Sequence, residues 1–372
     1  MPKEIASERL KYLSRRWIDQ TISPEERAEL HAWYHDNFND SLVEDMDARV
    51  LAAWQERAFV KLQNSKRRRQ VFPSWGLKST AAAAVVLLGF GLWWFAIRRS
   101  LPDVVIHPGR PYAILYDERG KEVAIDSIAS EQLVAIGGAQ WKKSADGSLL
   151  YVSKNDVGEN AATNIRTPKG GEIKVQLPDG TLAFLNADSR LQLSRSFGAG
   201  KREVQLIGEA YFEVQHDASR PFLVHTTSST VRVLGTHFNV RAYPAQPAVE
   251  TTLASGSVAL KRKDNGLITM LRPGEQGSVT DAETRVQSVD LKQVLAWKNG
   301  DFVFEQETLN DVMQELARWY DISYDFEDHA LMDQRLWGIL DRQASFEDML
   351  EMLNASKVAR FEQQGRRVHV KY

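Results

Sequence analysis

The stretch KSTAAAAVVLLGFGLWWFAIRR, residues 78–99, constrains this chain more than any other. From Ser79 to Ile97 it holds nineteen residues without a charge, in a protein whose mean hydropathy is −0.37. At about 1.5 Å per residue such a run makes roughly 29 Å of helix, the hydrocarbon thickness of a bilayer. Its Val, Leu, Phe and Ile side chains together favour insertion by roughly 2.5–5 kcal/mol, with no central charge to oppose them. Trp75 flanks one end and Trp93 and Trp94 the other, where amphipathic rings sit at the headgroups. A helix of this length buried in a soluble core would normally show a polar stripe. The expectation is one transmembrane helix over residues 79–97, dividing the chain between two compartments.

The flanks give its direction. Upstream lie Lys61, Lys66, Arg67, Arg68, Arg69 and Lys78, against Arg98, Arg99 and Arg110 downstream. The positive-inside bias puts the N-terminus in the cytoplasm, with Arg98 and Arg99 dissenting. Beside a span, the KRRR cluster is expected to meet membrane lipid, its anionic headgroups in particular, rather than nucleic acid. A net charge of −2 also speaks against direct nucleic-acid binding. The absence of cysteine excludes disulfides, thiolate metal sites and cysteine nucleophiles together. The opening MPKEIASERLKYL is charged and helical and carries no apolar signal-peptide core.

Residues 1–70 read as a small all-α bundle. Ala6, Leu10, Leu13 and Trp17 recur at helical spacing, and so do Val43, Met46, Val50 and Trp54. SPEER supplies a helix start, with Ser23 as cap, Pro24 in the first turn and Glu26 three residues on. Three amphipathic helices in so short a piece make a marginal core. Trp17, Trp33 and Trp54 either fill that core or anchor a partner. His31 and His35 lie four apart, but no third ligand accompanies them, so no metal site is expected.

After the apolar run the period changes to two. Residues 98–162 read as a β-rich connecting region and 163–290 as an all-β domain, sandwich or solenoid-like. LPDGT (177–181) and LRPGEQ (271–276) are turns, and KDNGL (263–267) contains the preferred two-residue hairpin pair Asn-Gly. KREVQLIGEAYFEVQ (201–215) alternates on both sides of Gly208, where a bulge or bend fits. TVRVLGTHFNVRAY (230–243) repeats the pattern around Gly235.

The C-terminal part, 297–372, repeats itself. TLNDVMQEL (308–316) and SFEDMLEML (345–353) are one phrase written twice, each opening on a capping-box-like start in which Asp stands where Glu is usual. Strand-like runs ISYDF (322–326) and KVARFE (357–362) follow the two helices, giving two β-α-β copies in a small α+β domain. The last strand, RVHVKY, is taken as a free edge or, equally, as an interior strand.

No catalytic motif appears. The chain has no nucleophile elbow, no His-Glu-x-x-His and no phosphate loop; GAGKR (198–202) lacks the parts of one, and GFG (89–91) lies inside the apolar run. His107, His216, His225, His237, His329 and His369 show no ligand spacing. Neither an enzyme nor a cofactor is expected, although paired carboxylates of a hydrolase would escape a reading of sequence.

LPDGT, GEAYFEV, PFLV (221–224), VLGTHFNVRAY and LRPGEQ, in this order after a membrane span and an SPEER-like helical segment, resemble FecR-type anti-sigma sensors. These are single-pass regulators of iron and glycan uptake in Gram-negative bacteria. The C-terminal repeat is similar to the secretin/TonB short N-terminal fold found in such proteins of the Bacteroidota type. The resemblance covers most of the chain and is poorest over 104–162; ASG (254–256) departs from the usual version of its loop. It implies an inner-membrane protein with its C-terminus in the periplasm, whose residues 1–70 hold an extracytoplasmic-function sigma factor. It implies contact between the C-terminal module and the signalling domain of a TonB-dependent outer-membrane transducer, with Val368, Val370 and Tyr372 as candidate contacts. It further implies release by site-1 and site-2 type proteases. Gly89 and Gly91 are candidates for a hinge or cleavage point in the membrane, or for close helix packing in a dimer. The alternatives are a membrane-anchored periplasmic glycan-binding module, a tethered hydrolase and, more remotely, a DNA-binding regulator.

Overall fold

The computed structural model describes residues 9, 12, 13, 16, 23–26, 29, 104–154, 163–195, 197 and 201–372. Two units separate, 1–94 and 95–372. In the first, residues 9, 12, 13 and 16 are helical, as are 24–26 and 29, and the Leu13 side chain is fully buried. Arg9 pairs with Glu29 at 2.9 Å and Arg16 with Glu26 at 3.1 Å. The SPEER start is a complete capping box: Glu26 N–H donates to Ser23 Oγ at 3.2 Å, and Ser23 N–H donates to Glu26 Oε2 at 3.0 Å.

The second unit opens with strands. One sheet runs, in hydrogen-bonded order, Glu122–Ala124, Ile114–Asp117, Thr163–Thr167, Ser189–Leu193, Arg202–Glu213, Phe222–His225, Ser229–Val233, Val258–Arg262 and Ile268–Leu271. The other runs Leu133–Ile136, Ala139–Lys143, Leu149–Lys154, Gly171–Gln176, Leu182–Leu185, Arg202–Glu213, His237–Ala242, Val249–Ser255, Glu275–Val279 and Thr284–Ser288. Arg202–Glu213 serves both. Its first half pairs in one sheet and its second half in the other, with the corner at Gly208. That glycine holds φ +96, and a Cβ on it would lie 2.4 Å from Ser189 Oγ. Only glycine turns so sharply against a neighbouring strand.

Both sheets bury alternate residues in one core, where Phe212 stacks on Phe238 at 5.3 Å and tilts against Phe222 at 5.7 Å. The strands of 110–154 belong to these same sheets and supply Leu115, Ile136, Trp141 and Leu149 to the same core. The KDNGL connection is longer than a two-residue turn. Arg262 N–H bonds to Leu267 carbonyl across Lys263–Gly266, because Asn265 Oδ1 accepts from Leu267 N–H and opens the loop.

The C-terminal part begins with the short helices Leu291–Val294 and Ala296–Asn299. Asp301–Thr308, the helix Leu309–Trp319 and Ser323–Phe326 form the first repeat; Arg335–Asp341, the helix Phe346–Ala355 and Arg360–Gln364 form the second. The two opening strands pair antiparallel, and the two closing strands flank Arg367–Lys371. Both helices start where the repeated phrase puts them. Thr308 and Ser345 each accept from the backbone N–H of the Asp three residues on, and each donates its hydroxyl to that same carboxylate. Asp is one carbon shorter than Glu and bonds the capping hydroxyl instead of reaching back to the cap's own N–H.

The expected fold class is corrected on two counts. A multidomain chain with an all-α bundle and a transmembrane helix gives way to a mostly β body with few helices. Among the described residues no helix is long and apolar enough to cross a membrane. The longest described helix, Leu309–Trp319, has eleven residues and reaches about 16 Å, roughly half a bilayer. Residues 79–97 and most of 1–70 lie outside the described residues.

Candidate functional site

Among the described residues no group of three His, Asp or Glu could hold a metal ion. A cavity of about 610 Å³ is lined by Arg262, Lys263, Asp264, Asp281 and the 243–249 segment. Two of its charges pair with each other. Arg262 is held by Asp264, Lys263 donates to the Thr226 carbonyl, and the Arg262 guanidinium keeps the Asp264 carboxyl below its ordinary range. A carboxylate held ionised in this way is a poor general acid.

Several sequence-predicted residues, namely Trp17, Trp33, Trp54, Gly89 and Gly91, lie outside the described residues. Val368 and Val370 are fully buried, facing the helices, and Tyr372 is 70% exposed. Arg367–Lys371 is the middle strand of three, hydrogen-bonded on both sides, so the reading of it as a free edge is corrected. A strand with both ladders filled cannot accept another.

The open edges of the C-terminal module are elsewhere. Asp301–Thr308 and Arg335–Asp341 pair only with each other among the named strands. Their inner face buries Phe302, Phe304 and Leu336. Their outer face presents Trp337, 49% exposed, and Ile339, 53% exposed, with Val303 and Glu305 as their cross-strand partners. Large apolar side chains on an outer strand carry information that scattered exposed leucines do not. Sequence reasoning missed this surface, although the alternation of RLWGILD was visible: Leu336 inside, Trp337 outside.

A second feature joins this module to the β domain. Arg342 follows the outer strand and is buried. Its guanidinium lies 3.8 Å from the Trp319 ring centre and 5.3 Å from that of Phe302. Nη2 donates to Asn186 Oδ1 at 2.9 Å, and Glu172 Oε2 stands 3.9 Å away. Asn186 donates to Glu209 at 2.8 Å, and Asn239 donates to the other oxygen of Glu209 at 2.9 Å. Trp319 sits over Gly109, where a Cβ would come within 2.5 Å of its ring, and its Nε1 donates to the Arg342 carbonyl at 2.7 Å. Gly170 N–H donates to Arg318 carbonyl at 2.8 Å, and the Arg318 guanidinium stacks 4.1 Å from Tyr243. Lys298 rests over Phe184 and Tyr211, 3.3 Å from Glu213.

The electrostatics of this joint follow burial. Burial pulls Arg342 below its ordinary value, with Glu172, Glu315 and Glu209 pulling back. Glu172, Glu250 and Glu307 are pushed up, chiefly by burial, and a nearby arginine offsets part of the push in each.

Comparison with known proteins locates these features. Residues 163–259 match the model of the FecR protein, and residues 301–370 match that of the FecR C-terminal region. The first match falls within the two sheets; the second is the module that carries Trp337. Two crystal structures, at 2.50 and 1.65 Å resolution, of a proposed anti-sigma factor from Parabacteroides distasonis are similar to this chain. Each is 29% identical with a TM-score of 0.52, covering 56% of this chain and 98% or 99% of its own. No curated protein matches the chain.

Proposed function

Because this chain belongs to the FecR family, we propose that it acts as an anti-sigma regulator, a protein that works by holding a sigma factor rather than by chemistry. The observation that carries the reading is the order of the two FecR regions in one body, together with likeness to the Parabacteroides distasonis structures over almost their whole length. In its finer form the proposal gives the sigma factor, one of the extracytoplasmic-function class, to residues 1–70. It gives the signalling domain of a TonB-dependent outer-membrane transducer to the C-terminal module. There the face around Trp337 and Ile339 supplies the apolar contact, and its outer strand supplies the pairing edge. Proteolysis is the proposed route of release.

The proposal also sets residues 104–372 on the periplasmic side of the inner membrane. The warrant is the charge-free stretch 79–97, which lies outside the described residues. Protease treatment of spheroplasts tests the placement: digestion of an epitope at residue 372 with protection of one at residue 1 is expected, and equal protection of both rejects it. For the function, the full chain is co-expressed with the sigma factor encoded beside it. Recovery of the two together in detergent, lost when residues 1–70 are deleted, is the expected result. A full chain that retains no sigma factor and leaves sigma-dependent transcription unchanged overturns the reading.

A further inference from the structure

We propose that Arg342 couples the C-terminal module to the β domain, passing displacement of one to the other through Asn186 and Glu209 at the corner of the shared strand. The inference does not rest on the anti-sigma reading. It starts from a contrast between two buried arginines. Arg202, 1% exposed, pairs with Asp179 at 3.2 Å and donates to the carbonyls of Arg220, Gln215, Asp217 and Leu234. All its partners belong to the β domain, and such a group fixes a structure. Arg342, 2% exposed, makes one side-chain hydrogen bond, across the joint to Asn186; its Nε and Nη1 meet no protein acceptor. A charge taken out of water beside one neutral acceptor, two aromatic faces and the Glu172 carboxylate at 3.9 Å contributes specificity of position rather than strength.

What the guanidinium touches gives the direction. Asn186 Oδ1 accepts from Arg342 while its Nδ2 donates to Glu209, so movement of Arg342 bears on the Glu209 carboxylate. Asn186 and Glu209 are also joined along the backbone, Asn186 N–H to Glu209 carbonyl at 3.0 Å. Glu209 follows Gly208, the corner at which one strand leaves the first sheet for the second. The other end of the chain of contacts is the outer strand: Arg342 directly follows Asp341, and its backbone N–H extends the ladder to Gly300. Trp337 and Ile339 lie on that same strand. A displacement of the strand therefore pulls on the corner of the β domain through one hydrogen bond.

Hydrogen exchange on the full chain in mild detergent tests this. Arg342→Met keeps bulk at the joint and removes the donor. Exchange is expected to rise at least tenfold in peptides spanning 184–190 and 207–213, with peptides over 222–233 and 258–262 unchanged. Asn186→Ala, made from the other side, is expected to raise exchange over 335–342. The double variant is expected to match the more affected single variant within twofold at every peptide. A rise in Arg342→Met confined to 335–342, a uniform rise across the β domain, or multiplication of the two effects in the double variant overturns the coupling. Should Asn186→Ala fail to fold, the distribution of the Arg342→Met effect decides alone.

Discussion

Replacing Gly208 by Ala tests the feature on which the β domain turns. Two penalties meet there. At φ +96 an L-residue leaves its allowed region, which costs about 1–2 kcal/mol. The new Cβ also meets Ser189 Oγ at 2.4 Å, Ser189 Cα at 2.6 Å and Ser189 Cβ at 2.7 Å. Part of that contact is backbone, which cannot rotate away, so overpacking adds roughly 1–3 kcal/mol. The sum is about 2–5 kcal/mol. At about 2–4 °C per kcal/mol for a body of this size, the transition falls by roughly 4–20 °C. Two further glycines separate the terms. Gly180 has φ +86 and open space around a Cβ, so Gly180→Ala carries the strain alone. Gly277 has ordinary backbone, and its Cβ would meet Leu260 Cδ2 at 2.7 Å, the movable end of a side chain. Scanning calorimetry of the three full-length variants is expected to rank Gly208→Ala as most damaging, then Gly180→Ala, then Gly277→Ala. A Gly208→Ala transition no lower than that of Gly180→Ala refutes the claim that the corner depends on close approach of Ser189.

Thr308→Ala and Ser345→Ala each remove a helix cap and are expected to cost about 1 kcal/mol, read as a lower denaturation midpoint with unchanged slope. Trp337→Ala is expected to leave the melting temperature of the free protein nearly unchanged; on the proposed transducer contact, it weakens capture of that signalling domain, by pull-down, at least tenfold. Glu26 is held below its ordinary carboxyl range, first by the Ser23 N–H, so the capping box is intact above pH about 4.5 and is lost as pH falls through the depressed value; exchange of the Ser23 amide is expected to accelerate in acid. Burial raises Glu250, so the folded protein holds that proton more tightly than the unfolded chain does. Stability is then expected to rise as pH falls through the raised value toward the ordinary one, and Glu250→Gln to flatten that part of the melting-temperature profile.

Much of the fold was legible because its signals are local. A Ser-x-x-Glu start needs only residues three apart, and Ser23 and Glu26 satisfy each other as the spacing implies. The repeated C-terminal phrase placed two helices for the same reason. The departures came where a local signal had a competitor, near or distant. Asn-Gly in KDNGL favours a two-residue turn, but Asn265 Oδ1 takes the Leu267 N–H and the loop widens. RVHVKY alternates as well as any edge strand, yet Ser323–Phe326 and Arg360–Gln364 close on it from both sides. Alternation says which face of a strand is apolar and nothing about how many neighbours it has.

The joint was out of reach for a different reason. Arg342 and Asn186 are 156 positions apart, and neither sits in a motif. Arg342 follows an ordinary strand, and Asn186 lies in an NAD turn whose composition says only that a turn is there. What makes them a pair is that Trp319 closes over Gly109 and holds the guanidinium above its own ring, so that, among the described residues, the one side-chain acceptor within hydrogen-bonding reach belongs to the other domain. A buried charge is informative because burial without full pairing is costly, and only the folded chain shows which charges are buried. Arg202 and Arg342 are alike in sequence terms, each a basic residue at the end of a strand. Five acceptors from one domain make the first a fixture, and one acceptor from another domain makes the second a connection.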